Sequence, residues 1–257
     1  MKKIIVMALF AFCASNAFAQ IGGIKINKKV IDAGTKAVQA LTVTDAEIAA
    51  YCQEYIDWMD AHNPVCSVTD SDPGMRAFAE RLDRILDGQY VEKGVKLDIK
   101  VYYVVEQNAF ACANGSIRVF AGLMEVMSDD EILGVVGHEI GHIINTDLKD
   151  AFKQALLTSA LKDAVASTSG KVAKLTDSQL GQLGEALAGA QFSQKQEYAA
   201  DEYGFNFLKK RGKDPQAMAS ALRVIEGLYN SDTNVVNALF SSHPNSGKRA
   251  ERLEKMK

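Results

Sequence analysis

The segment His138-Glu139-Ile140-Gly141-His142 contains the residues best suited to chemistry in this chain. Histidines four residues apart in a helix lie on the same face, so both imidazoles can bind one metal ion. Glu139 lies about 100° further around the helix, beside the position of a metal-bound water. Zinc lowers the pKa of such a water to roughly 7, and the carboxylate can take its proton as the water attacks a carbonyl. The spacing therefore predicts metal-assisted hydrolysis with Glu139 as the base.

An amphipathic helix with two exposed histidines is the alternative interpretation of this segment. That alternative predicts polar neighbours around His138 and His142. The residues that surround the pair are instead apolar, namely Val135, Val136, Ile140 and Ile143. We therefore expect both histidines to lie in a cleft or in the interior, and we expect a helix or strand to approach at Gly141.

A third metal ligand is needed, because zinc hydrolases use three protein ligands and one water. Asn145 and Leu148 stand where one large group of zinc proteases has a glycine and a third histidine. Glu197 is the best candidate, since Asp201 follows one helical turn later and could accept a hydrogen bond from a ligand histidine. A solvated acidic helix face is the alternative for this pair. The other candidate ligands are Asp147, Asp150, Asp163 and Glu185.

His243 precedes Pro244, which restricts it to an extended or turn conformation and could hold it in a cleft. There it could donate a hydrogen bond to the oxyanion of the tetrahedral intermediate. It could also occupy the open metal position and keep an enzyme inactive. Arg249 could make a two-pronged bond to a carboxylate such as Asp201. An ordinary loop histidine and a surface arginine are the alternative interpretation.

The elements that must position these residues form a mainly helical α+β fold. A capping box, Ser128 with Glu131, predicts the start of the helix that contains the histidine pair. A small antiparallel sheet is predicted before it, from a strand over 97–105 and a hairpin that turns at Asn114-Gly115. The hairpin strands cover 108–113 and 116–120. Further helices are predicted over 44–61, 73–87, 148–168, 176–191, 193–211 and 215–229, and after Ser246.

Residues 1–19 are typical of a secretory signal, with two lysines, an apolar run and Ala17-Phe18-Ala19 before the cleavage site. A buried N-terminal helix is the alternative. Cys13 follows a bulky phenylalanine, which disfavours lipid attachment. We expect a weakly ordered leader over 20–43 and a single catalytic domain over 44–257. No later stretch reaches the roughly 18 apolar residues of a membrane span, so none is expected in the mature chain.

Composition excludes some classes of function. The 257 residues are 47% hydrophobic with a net charge of -3, and they contain no basic stripe, so nucleic-acid binding is not expected. Cys52, Cys66 and Cys112 remain after export, which permits one disulfide and leaves the pairing open. The absence of a C-x-x-C pattern argues against a cysteine zinc site.

Taken together, these motifs resemble one metallopeptidase family. The motifs are His-Glu-Ile-Gly-His at 138–142, Glu-Tyr-Ala-Ala-Asp at 197–201, and Ser-His-Pro at 242–244 followed by Arg249. The chain is similar to the gluzincins that include the CAAX prenyl protease, the heat-shock protease HtpX and the periplasmic proteases LoiP and BepA. In length and in its lack of membrane spans it resembles LoiP. The segments 108–124 and 191–194 are also family-like.

The resemblance implies one Zn²⁺ per chain, bound by His138, His142 and Glu197. It implies active-site roles for His243 and Arg249. It also implies a substrate cleft lined by the strand that contains Asn108, Ala109, Phe110 and Ala111. The expected activity is cleavage of unfolded or misfolded envelope proteins in the periplasm, with association with the outer membrane or envelope assembly left open. A non-catalytic assembly factor is the alternative, although it would have no need of Glu139.

Overall fold

The structure is a computed structural model, and it describes residues 43–88, 90–158, 174–230 and 243–257. The predicted signal at 1–19 lies outside the described residues, as does the predicted leader except for Val43. The predicted helix over 148–168 is described only as far as Thr158. In the described parts of the chain, none of the helices has the length and apolar character needed to cross a bilayer.

The described chain is mainly helical, with short strands between the second and third helices. The helices are α1 (Asp45–His62), α2 (Pro73–Leu86), α3 (Ala121–Val126), α4 (Asp129–Ile144), α5 (Asp147–Thr158), α6 (Asp177–Ala188), α7 (Gln194–Lys210), α8 (Ala217–Asn230) and α9 (Ser246–Leu253). The strands are β1 (Val91–Glu92), β2 (Val95–Lys96), β3 (Asp98–Tyr102), β4 (Ala109–Ala111) and β5 (Ser116–Phe120).

Local sequence explains where several helices begin. In a capping box, the N-cap hydroxyl accepts a bond from the N3 amide while the N3 side chain accepts one from the N-cap amide. Both bonds are present at the starts of α1, α4, α6 and α7. The predicted helix start at Ser128 is therefore confirmed, and so are those at Thr44 and Ser193.

The main sheet has the strand order β3-β5-β4. Strand β4 pairs antiparallel with β5 through the predicted turn at Asn114-Gly115, but β3 pairs parallel with β5. The sheet predicted to be antiparallel is therefore mixed, because the hairpin docks on β3 through its second strand. The separate two-stranded sheet of β1 and β2 is antiparallel. Strand β3 also ends earlier than predicted, at Tyr102, because its partner β5 ends at Phe120, where α3 begins, and the Val104 amide bonds back to the carbonyl of Tyr102.

Two clusters of buried apolar side chains hold the helices. The first core lies among the main sheet and helices α2, α3, α4, α7, α8 and α9. It includes Leu82, Val101, Ile117, Val119, Leu123, Leu133, Val136, Ile140, Leu208, Leu222 and Leu253. The second core lies among α1, α5 and α6. It comprises Val43, Ile48, Tyr51, Cys52, Tyr55, Ile56, Cys112, Phe152, Ala155, Leu175, Leu180 and Leu183.

Helices α4 and α7 approach unusually closely, and glycines make the approach possible. A Cβ atom added at Gly137 would lie 3.0 Å from the Cα of Gly204. One added at Gly141 would lie 3.0 Å from the Cα of Ala200. The expected approach of a neighbouring element at Gly141 is confirmed. It brings the first turns of α7, with Glu197, against the histidine face of α4.

The three cysteines of the described chain are free thiols. The side chains of Cys52 and Cys112 are hydrogen-bonded to each other within the second core. Cys66 lies in the first core instead. Cys52 and Cys112 are therefore neighbours, and Cys66 lies apart from them.

Candidate metal centre and catalytic residues

Four buried side chains converge on one point: His138 and His142 from α4, Glu197 from α7, and His243 from the segment before α9. One nitrogen or oxygen from each lies within 4.8 Å of all the others. The two Nε2 atoms of His138 and His142 are 3.1 Å apart. Imidazole nitrogens that face one another beside a carboxylate are the donor set that suits zinc. The predicted ligands are therefore brought together in an arrangement that fits the metal.

His138 is held from behind by a carboxylate. Its Nδ1 lies 3.0 Å from Asp201 Oδ1. Arg249 reaches the same carboxylate with two nitrogens, at 2.9 Å from Nε and 2.6 Å from Nη2. The third guanidinium nitrogen, Nη1, lies 2.5 Å from Glu197 Oε2. A single arginine, only 2% exposed, thus joins the two buried acidic residues of α7, Glu197 and Asp201.

His142 is oriented by a residue that the sequence suggested for a different role. Its Nδ1 lies 2.8 Å from Oδ2 of Asp147, at the start of α5. Asp147 was a rival candidate for the third ligand, but it lies behind the imidazole, where partners of ligand histidines are usually found. Two other rivals, Asp150 and Glu185, are exposed and outside the cluster, and the third, Asp163, lies outside the described residues.

Phe192, in the segment between α6 and α7, covers one face of this cluster. Its ring stacks on His142 with centroids 4.1 Å apart and planes 21° apart. Its centroid is also 5.2 Å from that of His243. The sequence predicts only that the segment 191–194 is family-like, and it predicts no role for Phe192. A phenylalanine five residues before a candidate ligand was the available signal.

The protonation states of the cluster suit metal binding. Burial lowers the pKa of His138 and lowers that of His142 to about 4. Burial alone would raise the pKa of Glu197, but His243, His138 and Arg249 outweigh it and lower this pKa to about 2. At neutral pH both imidazoles of α4 are neutral and the carboxylate is ionised. Metal ligands need these same states.

Glu139 is 2% exposed and projects beside the cluster. Burial raises its pKa, although His243 and His142 act in the opposite direction. Its Oε1 has no hydrogen-bond partner among the described residues, and the nearest histidine nitrogen, His243 Nε2, is 3.8 Å away. A buried carboxylate oxygen without a partner has the capacity to bind a water.

His243 lies inside the cluster. Its Nδ1 is 2.9 Å from Glu197 Oε1 and 3.3 Å from His138 Nε2. Burial would lower its pKa, but Glu197 and Glu139 outweigh this and raise it. Both sequence-based roles remain compatible with this position, since the ring can donate a hydrogen bond or occupy a metal position.

The predicted substrate strand forms one edge of the main sheet. β4 (Ala109–Ala111) pairs with β5 on one side, and within the described ranges no strand pairs with its other side. Asn108 is buried and continues the pairing, because its carbonyl accepts a bond from the Phe120 amide. The opposite edge of the sheet is covered, since Cys66 donates to the carbonyl of Val101. β4 is thus the edge available to a further strand.

Comparison with known proteins agrees with this geometry. Residues 58–257 match the profile of peptidase family M48. The chain is 36% identical to the metalloprotease LoiP of Escherichia coli, over 87% of this chain and 86% of that protein. It is 34% identical to the metalloprotease YcaL of the same organism, over 87% and 85%. It is also 30% identical to a protease HtpX homologue of Pyrococcus furiosus, over 69% and 74%. The chain belongs to peptidase family M48 and is a zinc-dependent metalloendopeptidase.

Proposed function

We propose that the protein cleaves unfolded or misfolded proteins of the cell envelope, using zinc bound by His138, His142 and Glu197. The observation that carries the assignment of ligands is the convergence of these three side chains, with His243, within 4.8 Å. Their neutral imidazoles and ionised carboxylate support it further. The envelope location rests on the signal-like residues 1–19 and on the family resemblance.

Zinc at this position would supply a Lewis acid and lower the pKa of a bound water. Glu139 would accept the proton of the attacking water and later deliver it to the leaving amine. The raised pKa of Glu139 brings this carboxyl closer to the range in which it can both accept and release a proton. Arg249 and Asp201 would act indirectly, by holding His138 and Glu197 in place.

The substrate would bind as an extended strand along the free edge of β4. Addition of a strand to an exposed sheet edge uses main-chain hydrogen bonds, which do not depend on side-chain identity. This suits a protease that acts on unfolded chains. In this proposal Ala109 and Ala111 contribute backbone groups, and Phe110 contributes a half-buried ring to the cleft wall.

A direct test compares the chain lacking residues 1–19 with its Glu139→Gln variant in cleavage of casein. We expect chelator-sensitive cleavage by the wild type and a loss of at least about 100-fold in the variant. Glu125→Gln, which alters an exposed carboxylate on α3, is the matched control and should retain activity. Full proteolysis by Glu139→Gln would exclude the role of the base.

The ligand assignment is tested separately by zinc content. Glu197→Ala should lose bound zinc, whereas Glu202→Gln, an exposed carboxylate on the same helix, should keep it. Zinc binding that survives in Glu197→Ala would exclude Glu197 as a ligand. Mass spectrometry of the exported protein tests the proposed signal, since the mature chain should begin at Gln20.

A further role as an envelope assembly factor, independent of proteolysis, is a second candidate function, and the position of His243 favours it. Four protein ligands close a zinc site and are typical of structural zinc. His243→Ala distinguishes the possibilities. Increased cleavage would identify His243 as a group that blocks the metal, and decreased cleavage would identify it as an oxyanion donor. If envelope function survived in a Glu139→Gln strain, the assembly-factor function would be supported instead.

A further inference from the structure

Phe192 lies on the candidate metal centre, although its side chain can neither bind a metal nor transfer a proton. It is half-buried, and its ring is nearly parallel to that of His142 at a centroid distance of 4.1 Å. The same ring lies 5.2 Å from His243. It therefore contacts two of the four converging side chains.

The contacts of His142 explain what a stacked ring can add. Nδ1 is held by Asp147 at 2.8 Å, and Nε2 faces His138 at 3.1 Å. Both contacts lie at the edge of the imidazole. They therefore restrain the position of the ring more than the orientation of its plane, which we call its tilt. Stacking on the ring face limits rotation about the last side-chain bond, and offset-stacked aromatic pairs are favourable in their own right.

The backbone around Phe192 is anchored on both sides. Helix α6 precedes it and buries Leu180 and Leu183 in the second core. Ser193 follows it as the N-cap of α7, with its hydroxyl accepting a bond from the Gln196 amide. A residue that orients another side chain must itself be held in place. The ring of Phe192 meets this requirement, because its backbone lies between two anchored helix ends.

We propose that Phe192 is a positioning residue of the metal centre, which fixes the tilt of His142 so that its Nε2 is ready to bind zinc. This deepens the proposed function and rests on the assignment of His142 as a ligand. Its role would be comparable to that of Asp147, with one residue restraining the face of the imidazole and the other its edge.

The test measures zinc affinity by competition with a chelator for the wild type, Phe192→Ala, Phe192→Leu and Phe192→Trp. Residues that orient ligands typically change metal affinity by about 10-fold to 100-fold, so Phe192→Ala should weaken binding by at least roughly 10-fold. Phe192→Trp keeps a flat ring and should bind nearly as the wild type does. Phe192→Leu keeps apolar cover without a flat ring and should behave like Phe192→Ala.

Phe78→Ala is the matched control, because Phe78 is also half-buried and contacts a ring, that of Tyr103, at 5.9 Å. It should leave zinc affinity unchanged. Absorption bands of the cobalt-loaded protein, which report ligand geometry, should shift in Phe192→Ala and not in Phe78→Ala.

Zinc affinity of Phe192→Ala within twofold of the wild type would overturn the proposal. Wild-type zinc affinity in Phe192→Leu would also overturn the proposal, because apolar cover without a flat ring would then be enough for full zinc binding. Zinc binding in Glu197→Ala is measured in the same series. Its survival would count against the proposed ligand set, whatever Phe192→Ala does.

Discussion

The first core and the second core differ in what they surround. Beside the first core lies a network of buried charges, in which Arg249 is 2% exposed, Glu197 1% and Asp201 0%. No member of this network lies on α1, α5 or α6, the helices around the second core. A buried charge is tolerated only with a partner, so each member of the network depends on the others. Single changes in this network should therefore reduce both stability and zinc binding, whereas loss of bulk in the second core should reduce stability alone.

The two regions also contribute different parts of the candidate centre. Helices of the first core provide His138, His142 and Glu197, held at short range by the α4–α7 contact. The second core supports the residues that cover the centre. It anchors helix α6, which precedes Phe192, and it packs against Phe110 of the edge strand β4. We infer that the first core positions the metal ligands, and that the second core positions the side chains that surround them.

The largest effect is expected at Arg249. Arg249→Ala would leave Asp201 and Glu197 buried without their cation, and breaking a buried ion pair costs about 3–5 kcal/mol of unfolding free energy. Urea unfolding of the metal-free protein measures this. Arg223→Ala is the control, because Arg223 makes a comparable two-pronged pair with Glu254 at the surface and should change stability little. Equal losses of unfolding free energy in Arg249→Ala and Arg223→Ala would contradict the expected difference between the buried and the exposed ion pair.

A matched pair of leucines compares the two cores directly. Leu208 in the first core and Leu183 in the second are both 0% exposed. Each substitution to alanine should cost about 2–5 kcal/mol of unfolding free energy. Zinc affinity should fall in Leu208→Ala, because Leu208 packs near Gly134, one turn before His138. It should stay near wild type in Leu183→Ala. Similar zinc affinities in the two variants would show that the cores do not differ in this way.

The pH dependence of the metal-free protein should also reflect the first region. His142 has a folded pKa of about 4 against an ordinary value of 6.5, because burial disfavours its charged form. The unfolded chain therefore binds a proton in a range where the folded chain does not, so stability falls as pH falls from 6.5 to about 4. The loss is on the order of 3 kcal/mol for this residue.

His142→Asn isolates this contribution in urea unfolding at several pH values. The decline below pH 6.5 should be shallower in the variant than in the wild type. His243 acts in the opposite direction, because Glu197 and Glu139 raise its pKa despite burial. Its stabilisation is present at low pH and is lost as pH rises through its folded pKa. An unchanged slope in His142→Asn would contradict the burial argument.

Sequence patterns predicted the elements that depend on local signals. The capping box at Ser128 and the turn at Asn114-Gly115 fix the start of α4 and the β4–β5 hairpin, and both were predicted. The parallel pairing of β3 with β5 depends on which strand of the β4–β5 hairpin packs beside β3. No local sequence signal specifies that choice. Helix α3 was not predicted, since its N-cap, Phe120, makes no side-chain capping bond.

The candidate centre shows the same limit. The convergence of His138 with Glu197 could be inferred from residue types and spacing. The contact of Asp147 with His142 could not be inferred in this way. It depends on the left-handed backbone of Thr146, which has a φ of 65° and lies between α4 and α5. The contact of Phe192 with His142 likewise depends on how α6 packs in the second core. Contacts that depend on a loop conformation are absent from any periodic pattern.

The smallest effect that separates the two regions is expected at two helix caps. Thr176 caps α6 in the second region, and Ser193 caps α7 at the candidate centre, each within a capping box. Replacement of either by alanine should cost about 1 kcal/mol of unfolding free energy, because one amide of the first turn loses its partner. Glu197 lies in the first turn of α7, so only Ser193→Ala should also weaken zinc binding. Chelator competition on both variants measures this, and equal zinc affinities would mean that α4 and Arg249 alone hold Glu197 in place.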